Sequence, residues 1–194
     1  MKKIFLIAFA FIINYKASSQ NPIVSMSTEI GNIDIELYID KAPITTNNFL
    51  LYVDSNKYDN KAFFYRVVRL DNQPNKLVKI EVIQGGFYED SLIAKYQYPP
   101  IKHETTKETG IHHTDGVISM ARLEPGSASS EFFICIGDQP ELDFSGKRNP
   151  DGQGFAAFGK VVKGMDIVRK IQTQKDKDQY LLNPIRILSV KRSK

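Results

Sequence analysis

The sequence has one cysteine, three histidines and no apolar run of the roughly 20 residues that a membrane span needs. A single thiol, Cys135, excludes an internal disulfide, and its apolar flanks indicate a buried small side chain and not a nucleophile. Two of the histidines, His112 and His113, are adjacent, and adjacent side chains on extended backbone point to opposite sides. The sequence therefore predicts no metal site.

A strong excess of charge is also lacking once the N-terminal segment is set aside. The formal net charge is +4, but three of the 26 basic residues and none of the acids lie in residues 1–19. The remainder has 23 basic residues against 22 acidic ones. A nearly neutral domain has no electrostatic footprint for nucleic acid, so we expect no nucleic-acid partner.

The N-terminal segment has the layout of a secretory signal peptide. Lys2 and Lys3 precede an apolar run from Ile4 to Ile13, and small residues follow it. The alternative is an uncleaved N-terminal anchor, for which the apolar run is short. We expect residues 1–19 to be removed, which implies a protein of the periplasm or the exterior with no stable membrane insertion.

Residues 20–194 form one predicted domain with two short helices and many strands. One helix begins near Pro43, which suits a first helical turn, and the other lies in residues 163–174. The segment from Asp90 to Thr114 lacks a clear period and is predicted to be an irregular surface excursion. Apolar runs bounded by turn residues, several with a period of two, predict eight strands: 23–30, 33–39, 62–69, 77–83, 116–122, 131–137, 155–162 and 183–192.

An antiparallel set of this size avoids exposed edges best by closing on itself. We therefore predict an all-β fold, a closed eight-stranded antiparallel β-barrel capped by two α-helices.

One strand contains a permanent cation among apolar residues. Strict alternation would place Arg66 on the same face as Phe64 and Val68. One explanation is an arginine at a sheet surface that lays its stem over apolar groups. The other is a functional guanidinium at the edge of an apolar pocket.

Five motifs favour the functional explanation. They are F-x-R-V-V, V-I-Q-G-G, G-V-I-S-M-A, S-S-E-F-F-I-C and F-G-K-V-V-K-G-M-D-I-V, and they begin at Phe64, Val82, Gly116, Ser129 and Phe158. In this order and together they resemble the cyclophilin family of peptidyl-prolyl cis–trans isomerases. The resemblance extends over nearly all of residues 20–194 and implies the same capped eight-stranded barrel.

The resemblance also implies a site that uses no cofactor and no metal. Its catalytic residues would be Arg66, a donor to the prolyl amide, and Gln84, which would bind the substrate backbone. Phe133 would form the floor of a proline pocket. The substrate-binding set would be Val82, Ala121, Arg122, Leu123, Glu131, Phe133, Leu142 and Phe155. The implied partners are proline-containing polypeptides, such as exported proteins during folding, and we expect the protein to act as a monomer.

Several positions depart from the family pattern. Glu81 stands where phenylalanine is usual, and Glu131 stands where glutamine is usual. We expect these carboxylates to pair with Arg66 or Arg122. Phe155 is expected to supply apolar wall at a position often held by histidine. Two segments are longer than in short family members: the break between Arg66 and Gln84, and the loop 144–154.

Two other functions stay open at this point. A non-catalytic peptide-binding or chaperone module could use the same barrel. A hydrolase could use His113, Asp115 and Ser119, which lie close together in the sequence.

Overall fold

The computed structural model describes residues 21–193, so the predicted signal peptide lies outside the described residues. Eight antiparallel strands form a closed barrel, as predicted. The described residues contain these eight strands and one short additional strand, β8: β1 (Ile23–Thr28), β2 (Gly31–Leu37), β3 (Phe63–Val68), β4 (Val82–Gly86), β5 (Val117–Met120), β6 (Phe132–Cys135), β7 (Ala156–Lys163), β8 (Asp176–Lys177) and β9 (Tyr180–Arg192). The order around the barrel is β1-β2-β7-β5-β6-β4-β3-β9, and β9 pairs again with β1. The two-residue β8 pairs only with β9.

The described residues contain four α-helices, and the prediction had two. The helices are α1 (Pro43–Asp54), α2 (Asp90–Tyr96), α3 (Thr106–Thr109) and α4 (Met165–Gln172), with a 3-10 turn at Pro140–Leu142. The prediction of an irregular segment from Asp90 to Thr114 was therefore wrong for α2 and α3. Helix α2 fully buries none of its residues, and only Leu92, Ile93 and Tyr96 pack half-buried against the core, so its apolar face is short and was not recognised in the sequence. Helix α3 is a single turn held by a capping box between Thr105 and Glu108.

The segment from Asp90 to Thr114 also supplies a buried side chain that caps helix α1. Glu104 is buried, and its carboxylate accepts hydrogen bonds from the backbone N–H groups of Ile44 and Thr45, at 3.2 and 2.7 Å. The hydroxyl of Thr45 donates a third hydrogen bond, at 2.7 Å. The side chain at the N-cap of α1, Ala42, cannot accept such bonds, so Glu104 satisfies the first N–H groups of this helix from a distance.

The fourth strand begins later than predicted. It starts at Val82, whereas the apolar pattern had suggested a start at Leu77, whose side chain is fully exposed. Gln73 explains the difference, because its buried amide donates to the carbonyl oxygens of Arg69 and Ile80, at 2.7 and 2.8 Å. These bonds hold the chain as a compact loop where a longer strand was expected.

A β-bulge in β3 decides where Arg66 points. Phe64 pairs with Gly85 and Arg66 pairs with Gln84, so Tyr65 is an extra residue in the ladder. Phe64 and Val67 both join the core inside the barrel, while Val68 joins a smaller apolar cluster outside it. The strict alternation that placed Phe64 on the face of Arg66 was therefore wrong.

Helices α1 and α4 pack on different strands of the barrel. Helix α1 contacts β7 and β9, and α4 contacts β2, β3 and β4. None of the helices within residues 21–193 combines the length and the apolar character that a membrane span requires.

Candidate active site

An apolar patch on the outer face of the barrel forms the bottom of a cavity of about 340 Å³. The patch is built from β3, β4 and β6 together with the 3-10 turn. Phe155 packs edge-on against Phe133, with ring centroids 5.2 Å apart. The buried members are Val68, Ile80, Val82, Phe133, Cys135 and Leu142, with Ala121 and Phe155 packed against them.

Nine of the ten predicted site residues line this cavity, which we call the proline cavity. The tenth, Glu131, lines an adjoining cavity of about 500 Å³. The adjoining cavity shares Gln84, Ala121, Arg122 and Leu123 with the first, so the two are continuous. The nine are Arg66, Val82, Gln84, Ala121, Arg122, Leu123, Phe133, Leu142 and Phe155.

The guanidinium of Arg66 has neutral hydrogen-bond partners. Its Nη1 donates to the side-chain oxygen of Gln84, at 2.8 Å. Its Nε and Nη2 donate to the side-chain oxygen of Gln179, at 3.1 and 2.5 Å. Within residues 21–193 no carboxylate lies within 4.0 Å of this group. Burial lowers the pKa of Arg66, but an arginine stays charged at neutral pH.

Gln179 is a site residue that the sequence did not indicate. It lies in the turn between β8 and β9, where Asp178 and Gln179 have φ angles of 53° and 73°. Its own side-chain nitrogen donates to the carbonyl oxygen of Asn72, at 3.1 Å. This second bond fixes the amide with its oxygen toward Arg66. Gln179 is 113 residues from Arg66 in the chain, so no local sequence motif predicts the contact.

A second chain of hydrogen bonds orients Gln84 from the other side. The side-chain nitrogen of Gln84 donates to the hydroxyl of Tyr65, at 2.7 Å, and that hydroxyl donates to Glu131, at 2.6 Å. The backbone N–H of Phe87 also donates to Glu131, at 2.8 Å. Gly86 leaves the room for this carboxylate, because a side chain there would overlap it. A continuous series of hydrogen bonds thus connects the buried carboxyl of Glu131, through Tyr65 and Gln84, to Arg66.

Burial dominates the titration of this acid. It raises the pKa of Glu131 above its usual range, even though four donors, from Tyr65, Phe87, Ser130 and Tyr88, face the carboxylate. Burial and the neighbouring Glu131 also raise the pKa of Tyr65, which is therefore a stable hydroxyl donor.

The expected pairing of Glu81 and Glu131 with the site arginines was wrong. Glu131 binds Tyr65 and Phe87, as described. Glu81 accepts a hydrogen bond from the side chain of Gln172, at 3.3 Å. The carboxylates are thus turned away from the guanidinium of Arg66, which stays available to a ligand.

Arg122 pairs instead with a residue of the long loop 144–154. Its Nη1 and Nη2 contact Asp151 at 2.8 and 2.9 Å, and its Nε donates to the carbonyl oxygen of Gly154 at 2.9 Å. The guanidinium lies 5.1 Å from the ring centroid of Phe155. Hydrogen bonds from Arg122 lower the pKa of Asp151. Arg122 thereby fastens the loop beside the apolar wall.

The two long loops meet at the rim of the proline cavity. Arg148 donates from Nη1 to the side-chain oxygen of Gln73, at 2.9 Å, and to the carbonyl oxygen of Val78, at 2.6 Å. Lys76 and Asn149 also line the cavity. The sequence indicated that both loops are long but did not single out these side chains, because loop register cannot be derived from periodicity.

The histidine cluster lies beneath the pocket floor. His113 contacts Asp143 through Nδ1 at 2.6 Å and Ser119 through Nε2 at 3.0 Å, and its ring stacks on Phe133 at 5.9 Å. The acid expected in a hydrolase site, Asp115, instead accepts from Gly137 and Arg169. Ser119 is fully buried in β5, so it cannot meet a substrate. The cluster supports the floor, and the hydrolase interpretation was wrong.

Other reactive groups are also accounted for. Cys135 is buried, as predicted, and burial raises its pKa well above the usual range, which excludes a thiolate nucleophile. Among residues 21–193 no group of three or more histidine, cysteine or acidic side chains is arranged to hold a metal ion. What the geometry offers is an apolar pocket for a small ring, with an oriented guanidinium at its edge.

Comparison with known proteins gives a consistent result. A family model described as cyclophilin type peptidyl-prolyl cis-trans isomerase/CLD matches residues 23–192. A peptidyl-prolyl cis-trans isomerase of Acinetobacter baylyi is 40% identical over 172 residues, which cover 88% of this chain and 82% of that relative. Peptidyl-prolyl cis-trans isomerase B of Escherichia coli is 37% identical over 150 residues, which cover 77% of this chain and 83% of that relative.

A solved structure adds support for the fold. It is a cyclophilin type peptidyl-prolyl cis-trans isomerase of Cryptosporidium parvum in the presence of the dipeptide Ala-Pro. It matches with a TM-score of 0.70 and 21% identity, and it covers 89% of this chain and 99% of its own.

Proposed function

This chain belongs to the cyclophilin-type peptidyl-prolyl cis–trans isomerases, and from that premise we propose that Arg66 is the donor that stabilises the twisted prolyl amide. The observation that carries the proposal is the position of Arg66. Its guanidinium lies at the edge of an apolar cavity floored by Phe133, and its partners are two neutral amides.

The chemistry needs no covalent step. A peptide bond resists rotation by about 18–20 kcal/mol because of amide resonance. An X-Pro bond populates both isomers but exchanges over tens to hundreds of seconds. In the twisted state the prolyl nitrogen regains its lone pair and can accept a hydrogen bond. A fixed charged donor favours this state over both planar ground states, which is the requirement for catalysis.

The other residues hold the substrate for this step. The ring of proline fits the apolar surface of Phe133, Val82 and Leu142. Gln84, oriented by Tyr65 and Arg66, offers its amide to the substrate backbone. That the related structure was determined in the presence of the dipeptide Ala-Pro supports a proline-containing ligand for this cavity.

We further propose that the enzyme acts on exported proteins, after loss of residues 1–19. The support is the basic, then apolar, then small-residue layout of that segment. We propose a monomer as the active form, since one chain supplies all residues around the cavity.

The test compares isomerisation of a short proline peptide by the purified protein and by Arg66→Ala. Loss of an electrostatic donor is expected to lower kcat/KM by about 10²–10³-fold. Arg66→Lys keeps the charge without the fork and is expected to be intermediate. Arg186→Ala, at an exposed arginine outside both cavities, is the matched control.

Two outcomes would contradict the proposal. Equal rates for the wild type and Arg66→Ala would remove Arg66 from the mechanism. An inactive wild type that still binds the peptide would favour a non-catalytic binding module on the same barrel.

A further inference from the structure

The proline cavity carries an unbalanced positive charge. Four basic side chains line it, and no carboxylate is among the described residues that do so. The adjoining cavity differs, because Asp90 and Glu131 are part of its lining. The groove is therefore basic at one end and contains acids at the other. The four basic residues are Arg66, Lys76, Arg122 and Arg148.

Only one of these cations has an acidic partner in the part of the chain that the structure describes. Arg122 is paired with Asp151, at 2.8 Å. Arg66 and Arg148 donate to amide and carbonyl oxygens, and neither lies within 4.0 Å of a described carboxylate. Most arginines elsewhere on the described surface are paired, such as Arg192 with Asp54 at 2.7 Å.

Such an arrangement is costly without a ligand. Burial, followed by the positive charge of Arg66, lowers the pKa of Arg148, so both arginines bear a desolvated charge beside one another. A carboxylate entering the cavity would relieve this repulsion and would accept charge-assisted hydrogen bonds from a guanidinium fork. Nη1 of Arg148 is bound to loop oxygens, whereas Nε and Nη2 have no hydrogen-bond partner among the described residues.

We propose that the enzyme prefers proline segments that carry an aspartate or glutamate next to the proline, and that Arg148 is the residue that recognises this carboxylate. The inference rests on the proposed function, since it takes the proline ring to occupy the pocket of Phe133. Arg148 is then a specificity-determining residue, contributed by the loop 144–154 at the rim of the cavity.

The experiment measures kcat/KM for two sets of matched peptides. In one set the residue after proline is glutamate, glutamine or lysine, and in the other the residue before proline varies in the same way. In at least one set we expect the glutamate peptide to exceed the glutamine peptide by about fivefold, as for a partly screened charge pair. The lysine peptide should fall below both. The advantage should shrink as salt is raised.

The variants identify the residue responsible. Arg148→Gln should bring the ratio of the glutamate to the glutamine peptide close to one, and Arg148→Lys should keep most of it. Arg186→Gln, at an exposed site outside both cavities, should keep the full ratio. The inference is overturned if neither set shows an advantage, or if Arg148→Gln retains it. If Arg148→Gln lowers kcat/KM equally for the glutamate and the glutamine peptide, the ratio is retained, and this result also counts against the inference.

Binding separates this inference from the proposed function. The same peptides, labelled with a fluorophore, are titrated with the protein and followed by anisotropy. A glutamate preference in binding without isomerisation would refute the catalytic function and keep the charge recognition. Isomerisation without the glutamate preference would keep the catalytic function and refute the charge recognition.

Discussion

The side-chain oxygen of Gln179 accepts two hydrogen bonds from Arg66, at 3.1 and 2.5 Å, from a turn in which two successive residues have left-handed backbone. A non-glycine residue in this conformation costs roughly 1–2 kcal/mol. Strain of this kind persists where the surrounding structure holds it, and it is common at functional sites. Here the strained turn places the side-chain amide of Gln179 against the proposed catalytic guanidinium of Arg66.

Replacing Gln179 by glycine should separate stability from catalysis. Glycine suits the φ angle of 73°, so we expect the free energy of unfolding to change by less than about 1 kcal/mol. Arg66 loses a fixed acceptor, and we expect kcat to fall several-fold with little change in KM. Asp178→Gly introduces the same residue one position earlier and should leave kcat unchanged. Equal kcat for the two variants would contradict a positioning role for Gln179.

Glu131 should make stability depend on pH in an unusual direction. Burial raises the pKa of this carboxyl in the folded state. As pH rises above the unfolded value near 4.5, the unfolded chain releases the proton first, so the folded state loses relative stability. Glu131→Gln removes this term. We expect the unfolding free energy of the variant, relative to the wild type, to increase from pH 4 to pH 8.

Urea titrations at several pH values measure this difference. Glu124→Gln, at an exposed loop position, is the control and should show none of the trend. A difference between Glu131→Gln and the wild type that stays constant with pH would show that the carboxyl does not titrate as described.

Glu104 should contribute more to the free energy of unfolding than an ordinary surface acid does. Its carboxylate satisfies two N–H groups at the start of α1 and the hydroxyl of Thr45. We expect Glu104→Ala to lower the free energy of unfolding by about 1–3 kcal/mol, because these buried donors lose their acceptor. Glu104→Gln retains one acceptor oxygen and should cost less. Chemical unfolding provides the measurement, and Glu124→Ala is the matched control. Equal stability of the Glu104→Ala and Glu124→Ala variants would refute the capping role.

His113 should cause the free energy of unfolding to fall on mild acidification. Burial lowers its pKa in the folded state, despite the contact with Asp143. As pH falls through the unfolded value near 6.5, the unfolded chain takes up a proton that the folded state does not, and stability is lost. His113→Gln should flatten the decline in unfolding free energy below pH 6.5. His112→Gln, at an exposed ring that also contacts Asp143, should leave the decline in place. An unchanged slope in His113→Gln would contradict the assignment.

The central part of the site could be predicted because it lies on regular strands. Arg66 and Gln84 face each other across β3 and β4, and Phe133 follows on β6 opposite Gln84. These residues belong to quoted motifs, and the strand pattern brings the motifs together. Even so, alternation misplaced Phe64, because a β-bulge adds one residue without changing the apolar pattern.

The missed residues reach the site from turns and loops. Gln179 is 113 residues from Arg66, and Arg148 contacts Gln73 from 75 residues away. Such contacts depend on how two loops close in space, and periodicity contains no information about that. Glu104 was missed for a related reason, since a polar segment with no period can still supply a buried acceptor.

The seam of the barrel joins its first strand to its last, and the turn that carries Gln179 comes directly before that last strand. Arg66 thus emerges from synthesis more than 100 residues before its partner. A chain that ends before Gln179 has the guanidinium and its acceptor Gln84, but it lacks the second acceptor and the strand that closes the barrel. A truncation before Gln179 therefore removes this acceptor of Arg66 together with the strand that closes the barrel.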